Sequence, residues 1–147
     1  MSGNKARQRF ANEYFCAESV LMTICETIGY ENQAIPAMAT AFCGGVSRTK
    51  GTCGALQGAV LAISLIHGRN NTDQNYDKCY ELVQILSKNF QEKYSSTNCF
   101  EITDCDLSIQ QGREKFKEEG VKHNICLNIV EEITDYTIML LMDNQVK

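Results

Sequence analysis

The segment from Cys53 to Ile66, Cys-Gly-Ala-Leu-Gln-Gly-Ala-Val-Leu-Ala-Ile-Ser-Leu-Ile, constrains the fold more than any other part of the chain. Read as a helix, it places Cys53, Leu56, Val60, Ile63 and His67 on one stripe. Gly54, Gly58 and Ala62 form a second stripe. Side chains that small let another backbone come close, so this face predicts tight helix–helix packing at the centre of the fold. The run is too short to cross a bilayer, which takes about 20 apolar residues, and Gln57, Gly58 and Ser64 punctuate it. Gly68 ends it.

Helical spacing recurs along the rest of the chain. Phe10, Tyr14, Ala17, Leu21, Ile24 and Ile28 repeat at intervals of four and three, and Gly29 closes that helix as a natural C′ residue. Pro36 stands near the start of a short second helix, about 33–42, because proline is tolerated in a first turn. A fourth helix, about 72–94, carries Tyr76, Cys79, Val83, Leu86 and Phe90. Residues 95–104 read as a loop or short turn, 108–119 as a polar helix capped by Ser108, and 122–142 as a last helix with Cys126, Ile129, Val130, Ile133 and Leu140 on one face. The β-leaning clusters all lie inside better helical patterns. The expectation is an all-α, single-domain helical bundle of five or six helices spanning residues 1–147.

The 147 residues suffice for one buried core, and 44% hydrophobic with 22% charged residues is ordinary for a soluble globular protein. A net charge of −4 argues against a general nucleic-acid binder, since no surplus of Lys and Arg is left to neutralise phosphates. Basic residues near the start are followed by Asn12, Glu13 and Glu18 rather than by an apolar core, so no signal peptide, lipidation signal or membrane insertion is expected. A cytoplasmic location follows as the expectation.

Eight cysteines stand out in such a chain. In a reducing compartment they point to metal binding or redox chemistry more than to structural disulfides. No Cys-x-x-Cys pair occurs, so a shared site must be assembled from distant segments. Cys53 is the first candidate. It follows the cationic glycine loop Gly44-Gly45-Val46-Ser47-Arg48-Thr49-Lys50-Gly51, with Thr52 as the expected N-cap and Cys53 as the first residue inside the helix. A helix start favours an anion, here the thiolate, and Arg48 and Lys50 would act in the same sense. The alternative is a small apolar residue plugging the core. Cys16 flanks the first helix's apolar stripe, and Cys99 follows a capping-rich loop. Cys126 faces inward with His123 one turn before it, a candidate base–thiol or ligand pair. Cys43 reads as a resolving thiol for Cys53, Cys105 as loop-placed, and Cys25 and Cys79 as packing. Only His67 and His123 are available for a hydrolytic grouping, and adjacent pairs such as Glu118-Glu119 point apart.

Phe15-Cys16-Ala17-Glu18-Ser19-Val20-Leu21, Gly44-Gly45-Val46-Ser47-Arg48, Cys53-Gly54-Ala55-Leu56-Gln57-Gly58, Asn98-Cys99 and Cys126-Leu127-Asn128-Ile129-Val130 together resemble the C_GCAxxG_C_C family of "putative redox-active" proteins. The resemblance covers about residues 15–130. It implies a small helical fold and a set of four family cysteines, Cys16, Cys53, Cys99 and Cys126, with Arg48 in the family's glycine loop. It also hints at a redox partner protein linked to a transporter system. Cys43 stands where a glycine is expected, and Cys25, Cys79 and Cys105 are additional.

Three functions compete at this point. The first is thiol–disulfide exchange with Cys53 as the reactive thiolate. The second is a metal or iron–sulfur site on Cys16, Cys53, Cys99 and Cys126. The third is an interaction or small-anion-binding protein with structural cysteines, in which the Gly44-Gly45 loop and the helix start at Cys53 hold a phosphate or carboxylate. Gly44, Gly45, Arg48, Lys50, Gly51, Gly54 and Gly58 are the supporting residues around the cysteines in any of the three. No cofactor, enzyme activity or oligomeric state is specified by these residues.

Overall fold

The computed structural model describes residues 1–145. Nine helices form among them: α1 (Ser2–Asn12), α2 (Cys16–Ile28), α3 (Ala37–Thr40), α4 (Cys43–Arg48), α5 (Gly54–His67), α6 (Asp77–Tyr94), α7 (Cys99–Thr103), α8 (Gln110–Glu118) and α9 (Leu127–Asp143). A π-helical turn, Lys122–Cys126, leads into α9. No strand forms among the described residues, only one isolated antiparallel bridge between Thr52 and Asn98. The all-α expectation holds, whereas the count of five or six helices was too low. None of the described helices is long and apolar enough to cross a membrane.

Part of the excess comes from a break that periodicity does not show. The stripe from Phe10 to Ile28 is two helices, because Glu13 leaves helical geometry and Phe15 is extended (φ −91°, ψ 175°). Glu18 restarts the chain: its Oε1 accepts the Phe15 N–H at 2.9 Å, while Oε2 accepts the Thr40 hydroxyl at 2.7 Å. One carboxylate thus satisfies an orphan donor at the start of α2 and ties that start to α3. Glu18→Ala removes both bonds and is expected to cost about 1–2 kcal/mol of unfolding free energy. Equilibrium urea titration checks this, with exposed Glu13→Ala as the reference.

Other differences are equally local. The helix expected from 72 begins only at Asp77, because Asn71 and Asn75 side chains accept the N–H groups of Asp73 and Asp77 and hold the preceding residues in turns. The segment read as a loop after Ser95 contains α7, capped by Asn98 Oδ1 accepting from the Glu101 N–H at 3.1 Å. The short second helix shrinks to Ala37–Thr40, with Pro36 as its N-cap.

α5 is the central element. Gly54, Gly58 and Ala62 are all buried, and α2 lies against them. A Cβ on Gly58 would stand 2.6 Å from the Ala17 carbonyl oxygen and 3.1 Å from Ala17 Cα, closer than side chains pack. The small-residue face therefore does what its composition implies, letting two backbones touch. Leu21, Ile24, Ile63, Leu82, Leu86, Phe90 and Val130 fill the core between α2, α5, α6 and α9. α1 lies along α9, with the Gly3 N–H donating to Asp135 Oδ1 at 2.8 Å and Arg7 reaching Glu131 at 3.2 Å. Cys25 and Cys79 are buried in this core, as packing residues should be.

Candidate functional site: a cysteine-lined cavity

The glycine loop is ordered, and it is left-handed. Gly44, Gly45, Val46, Ser47 and Arg48 all have φ between 56° and 70°, so α4 is a turn of left-handed helix after Cys43. L-residues pay roughly 1–2 kcal/mol each for that hand. Val46 is the extreme case, because a β-branched side chain seldom tolerates positive φ. The turn is closed by hydrogen bonds from the Thr49 and Gly51 N–H groups to the Gly45 carbonyl, at 3.3 and 2.8 Å.

This turn packs beneath α7. A Cβ on Gly45 would meet Cys99 Cβ at 2.6 Å and its Sγ at 3.3 Å, so glycine is required there for contact as well as for conformation. The segment after the turn then pairs with the chain entering α7. The Cys53 N–H donates to the Thr97 carbonyl at 2.8 Å, the Cys99 N–H to the Gly51 carbonyl at 2.9 Å, and Asn98 Nδ2 to the Lys50 carbonyl at 2.6 Å. That short two-stranded clamp brings Cys53 and Cys99 together across 46 positions of sequence. The ends of α2 and α9 complete the arrangement. Cys16 is the first residue of α2, and a Cβ on Gly54 would stand 2.4 Å from its Sγ. Cys126 closes the π-helical turn before α9.

The result is a cavity of about 560 Å³ whose wall includes Cys16, Cys43, Cys53, Cys99 and Cys126. All four cysteines implied by the resemblance, and Cys43 with them, converge there. All eight cysteines are free thiols. A second, more open hollow of about 450 Å³ near α7 and α8 is lined by Asp104, Asp106, Glu114, Glu118 and Glu119 and contains no cysteine.

The thiols fall into two groups. Cys43 lies beside Cys16, and the hydrogen bond between them, followed by burial, pushes the Cys43 thiol far above its ordinary range. The N–H groups of Ala17 and Glu18 in the first turn of α2 oppose this only in part. Cys43 was expected to serve Cys53, but the fold gives it Cys16 as neighbour. The second group is Cys53, Cys99 and Cys126. Burial raises Cys99, and raises Cys126 to about 12, with the charges of Cys53 and Cys99 adding to the effect on Cys126. Cys105, fully buried behind them, is raised by burial as well.

Cys53 corrects the sequence reading in two respects. It is itself the N-cap of α5, with Gly54 as the first helical residue. The Ala55 and Leu56 N–H groups do point at its sulfur and favour the thiolate, as a helix start should. Burial outweighs them and lifts the thiol to about 11. A low-pKa thiolate is therefore not what this position provides; burial keeps the Cys53 thiol protonated at neutral pH.

The supporting cations part company. Arg48 lines the cavity, whereas Lys50 turns away to Asp106 at 3.7 Å and to the face of Phe100. His123 is exposed and outside the cavity, because the wider π-helical turn does not align it with Cys126. Two residues that sequence reasoning passed over, Arg113 and Lys122, also reach the wall, and no local pattern marks them. Among the described residues, no three His, Cys, Asp or Glu side chains converge as a set that could hold a metal ion.

A family model described as "Putative redox-active protein (C_GCAxxG_C_C)" matches residues 14–139. An "Uncharacterized protein" of Archaeoglobus fulgidus is 28% identical over 141 residues, covering 88% of this chain and 86% of that protein. No solved structure matches the chain.

Proposed function

Since the chain belongs to the C_GCAxxG_C_C family, we propose that it performs thiol–disulfide redox chemistry within the cavity, cycling Cys53, Cys99 and Cys126 between thiol and disulfide. The observation that carries this reading is the convergence of all four family cysteines on the wall of one cavity. Packing alone would scatter thiols through the core, as it does Cys25 and Cys79.

In the reductive direction a thiolate of the set attacks one sulfur of a substrate disulfide. The substrate S–S bond breaks, a mixed disulfide forms, and one substrate thiol leaves with a proton. A second cysteine of the set then attacks the protein sulfur of the mixed disulfide and releases the other substrate thiol. Two protein thiols have become one disulfide, and one substrate disulfide has become two thiols. Within this group we assign Cys53 and Cys99 as the closing pair, because the clamp sets Cys53 against Thr97 and Cys99 against Gly51, one diagonal step apart. Burial keeps Cys53 largely in its protonated form, so at neutral pH its attack and its adventitious oxidation are both slow.

Titrating the reduced protein with diamide and mapping disulfide-linked peptides by mass spectrometry tests this. The expected product lacks two hydrogens and links Cys53 to Cys99. Cys53→Ser should reduce the yield of that product at least tenfold, while Cys25→Ser leaves it intact. Indistinguishable yields from the two variants, or no intramolecular disulfide in the unsubstituted protein, would overturn the reading.

A further inference from the structure

The cavity wall has a charge that the chain as a whole does not lead one to expect. The protein carries 18 Asp and Glu against 14 Lys and Arg. Yet the cavity is lined by Arg48, Arg113 and Lys122 and by no carboxylate. None of these three forms an ion pair among the described residues. Arg113 donates to the Leu107 carbonyl at 2.8 Å, and Lys122 sits 4.6 Å above the centre of the Phe10 ring. Both contacts orient the side chains without cancelling their charge. Asp104, Asp106, Glu114, Glu118 and Glu119 instead line the separate hollow, together with Lys115.

The rest of the wall is mostly apolar, with Thr40, Ser47 and Thr103 as its polar side chains apart from the cysteines. Phe10, Phe15 and Phe116 line it together with Ile102, Leu107 and Ile129. Phe15 is 62% exposed, so a large ring is left in water at the cavity. A volume of about 560 Å³ is the size of a small-molecule site, and an apolar wall with a few convergent charges is the usual form of one. A wholly apolar ligand would leave three charges uncompensated, and a bare inorganic anion would leave the rings bare.

We propose that this cavity binds a small amphipathic anion, an aromatic or aliphatic body bearing one acidic group, and holds it against the cysteine cluster. The acidic group is met by Arg48, Arg113 and Lys122, and the body lies against the apolar side chains between them, Phe10 under Lys122 included. For the redox reading this deepens the assignment: the substrate is then a small disulfide whose body carries such an acidic group, rather than a protein; the binding itself stands on the lining alone.

The test uses the fully reduced protein, so that its outcome is independent of disulfide formation. Two fluorescent probes of the same shape are titrated, 8-anilinonaphthalene-1-sulfonate and its neutral counterpart N-phenyl-1-naphthylamine. The sulfonate is expected to bind one to one, at least tenfold more tightly than the neutral probe, and to slow alkylation of Cys53 and Cys99. Arg48→Gln and Lys122→Gln, read separately and with circular dichroism confirming the fold, should each weaken the sulfonate at least fivefold and leave the neutral probe unchanged. Equal affinity for the two probes, equal loss of both in the variants, or no protection of the cysteines would overturn the proposal. Sulfonate binding with failed diamide oxidation would sink the redox reading alone.

Discussion

Gly58→Ala is expected to lower the unfolding free energy by about 2 kcal/mol, against the helix-propensity trend. Alanine in a helix interior is ordinarily better than glycine by about 1 kcal/mol. Here the added methyl would stand 2.6 Å from the Ala17 carbonyl oxygen and 3.1 Å from both Ala17 Cα and Val20 Cβ. Two of those neighbours are backbone and cannot rotate away, so α2 and α5 must separate. Overpacking typically costs about 1–3 kcal/mol, and more where backbone has to shift. A loss of that size in a chain this long lowers Tm by roughly 5 °C. Gly29→Ala is the comparison: its φ of +76° penalises any side chain, but nothing lies within 4 Å of the new methyl. It should cost about 1 kcal/mol from conformation alone. Equilibrium urea unfolding of both proteins is the measurement. A Gly58→Ala protein as stable as the original would mean that the two helices do not cross this closely.

The second large effect is alkaline loss of stability. Burial raises Cys25 and Cys53 to about 11 and Cys126 to about 12 in the folded protein. In the unfolded chain a thiol titrates near 8.5. The folded state therefore holds protons that the unfolded state has released over the interval between those values. Stability from these thiols is complete below about pH 8.5 and is lost as pH rises through 11. For Cys25, which is 2% exposed, the loss is on the order of 2–3 kcal/mol. Unfolding free energies measured from pH 7 to 10.5 should fall, and fall less steeply in Cys25→Ala, which lacks one of these groups. Identical alkaline slopes would show that Cys25 does not titrate as a buried thiol. The same values predict that iodoacetamide labels Cys53 slowly at pH 7 and about tenfold faster for each added pH unit.

The parts of this molecule legible in its sequence are those set by local composition. The Gly54, Gly58 and Ala62 face announces a close helix crossing, because only side-chain size matters there. Cys25 and Cys79 follow the helical stripes into the core. The break at Glu13–Phe15 is invisible to periodicity, since two helices in continuous register show one stripe. Its one local signal was Glu18, three residues after Phe15, in capping-box spacing without the usual Ser or Thr. The cysteine set came from resemblance, whereas its convergence depends on the clamp between residues 51–53 and 97–99. Nothing local encodes pairing at that distance. The Cys53 pKa went the other way from expectation because a helix start is a local feature and burial is not. Arg113 and Lys122 were missed for the same reason: each is an ordinary surface cation until the chain closes around the cavity.

The left-handed turn from Gly44 to Arg48 has a consequence for how the site's wall responds to change. Its backbone is the shape that D-amino acids would choose, so for this stretch the usual order of substitutions is inverted. Val46→Gly, a loss of packing elsewhere, should here stabilise by about 1 kcal/mol, and any second β-branched residue in the turn should do the reverse. Because Cys99 packs against Gly45 in that turn and its N–H donates to the Gly51 carbonyl just after it, relaxing the turn to the ordinary hand would carry a thiol with it. One side of the thiol cluster is thus built from the least contented backbone in the molecule, and its chirality, more than its flexibility, decides which neighbours that thiol keeps.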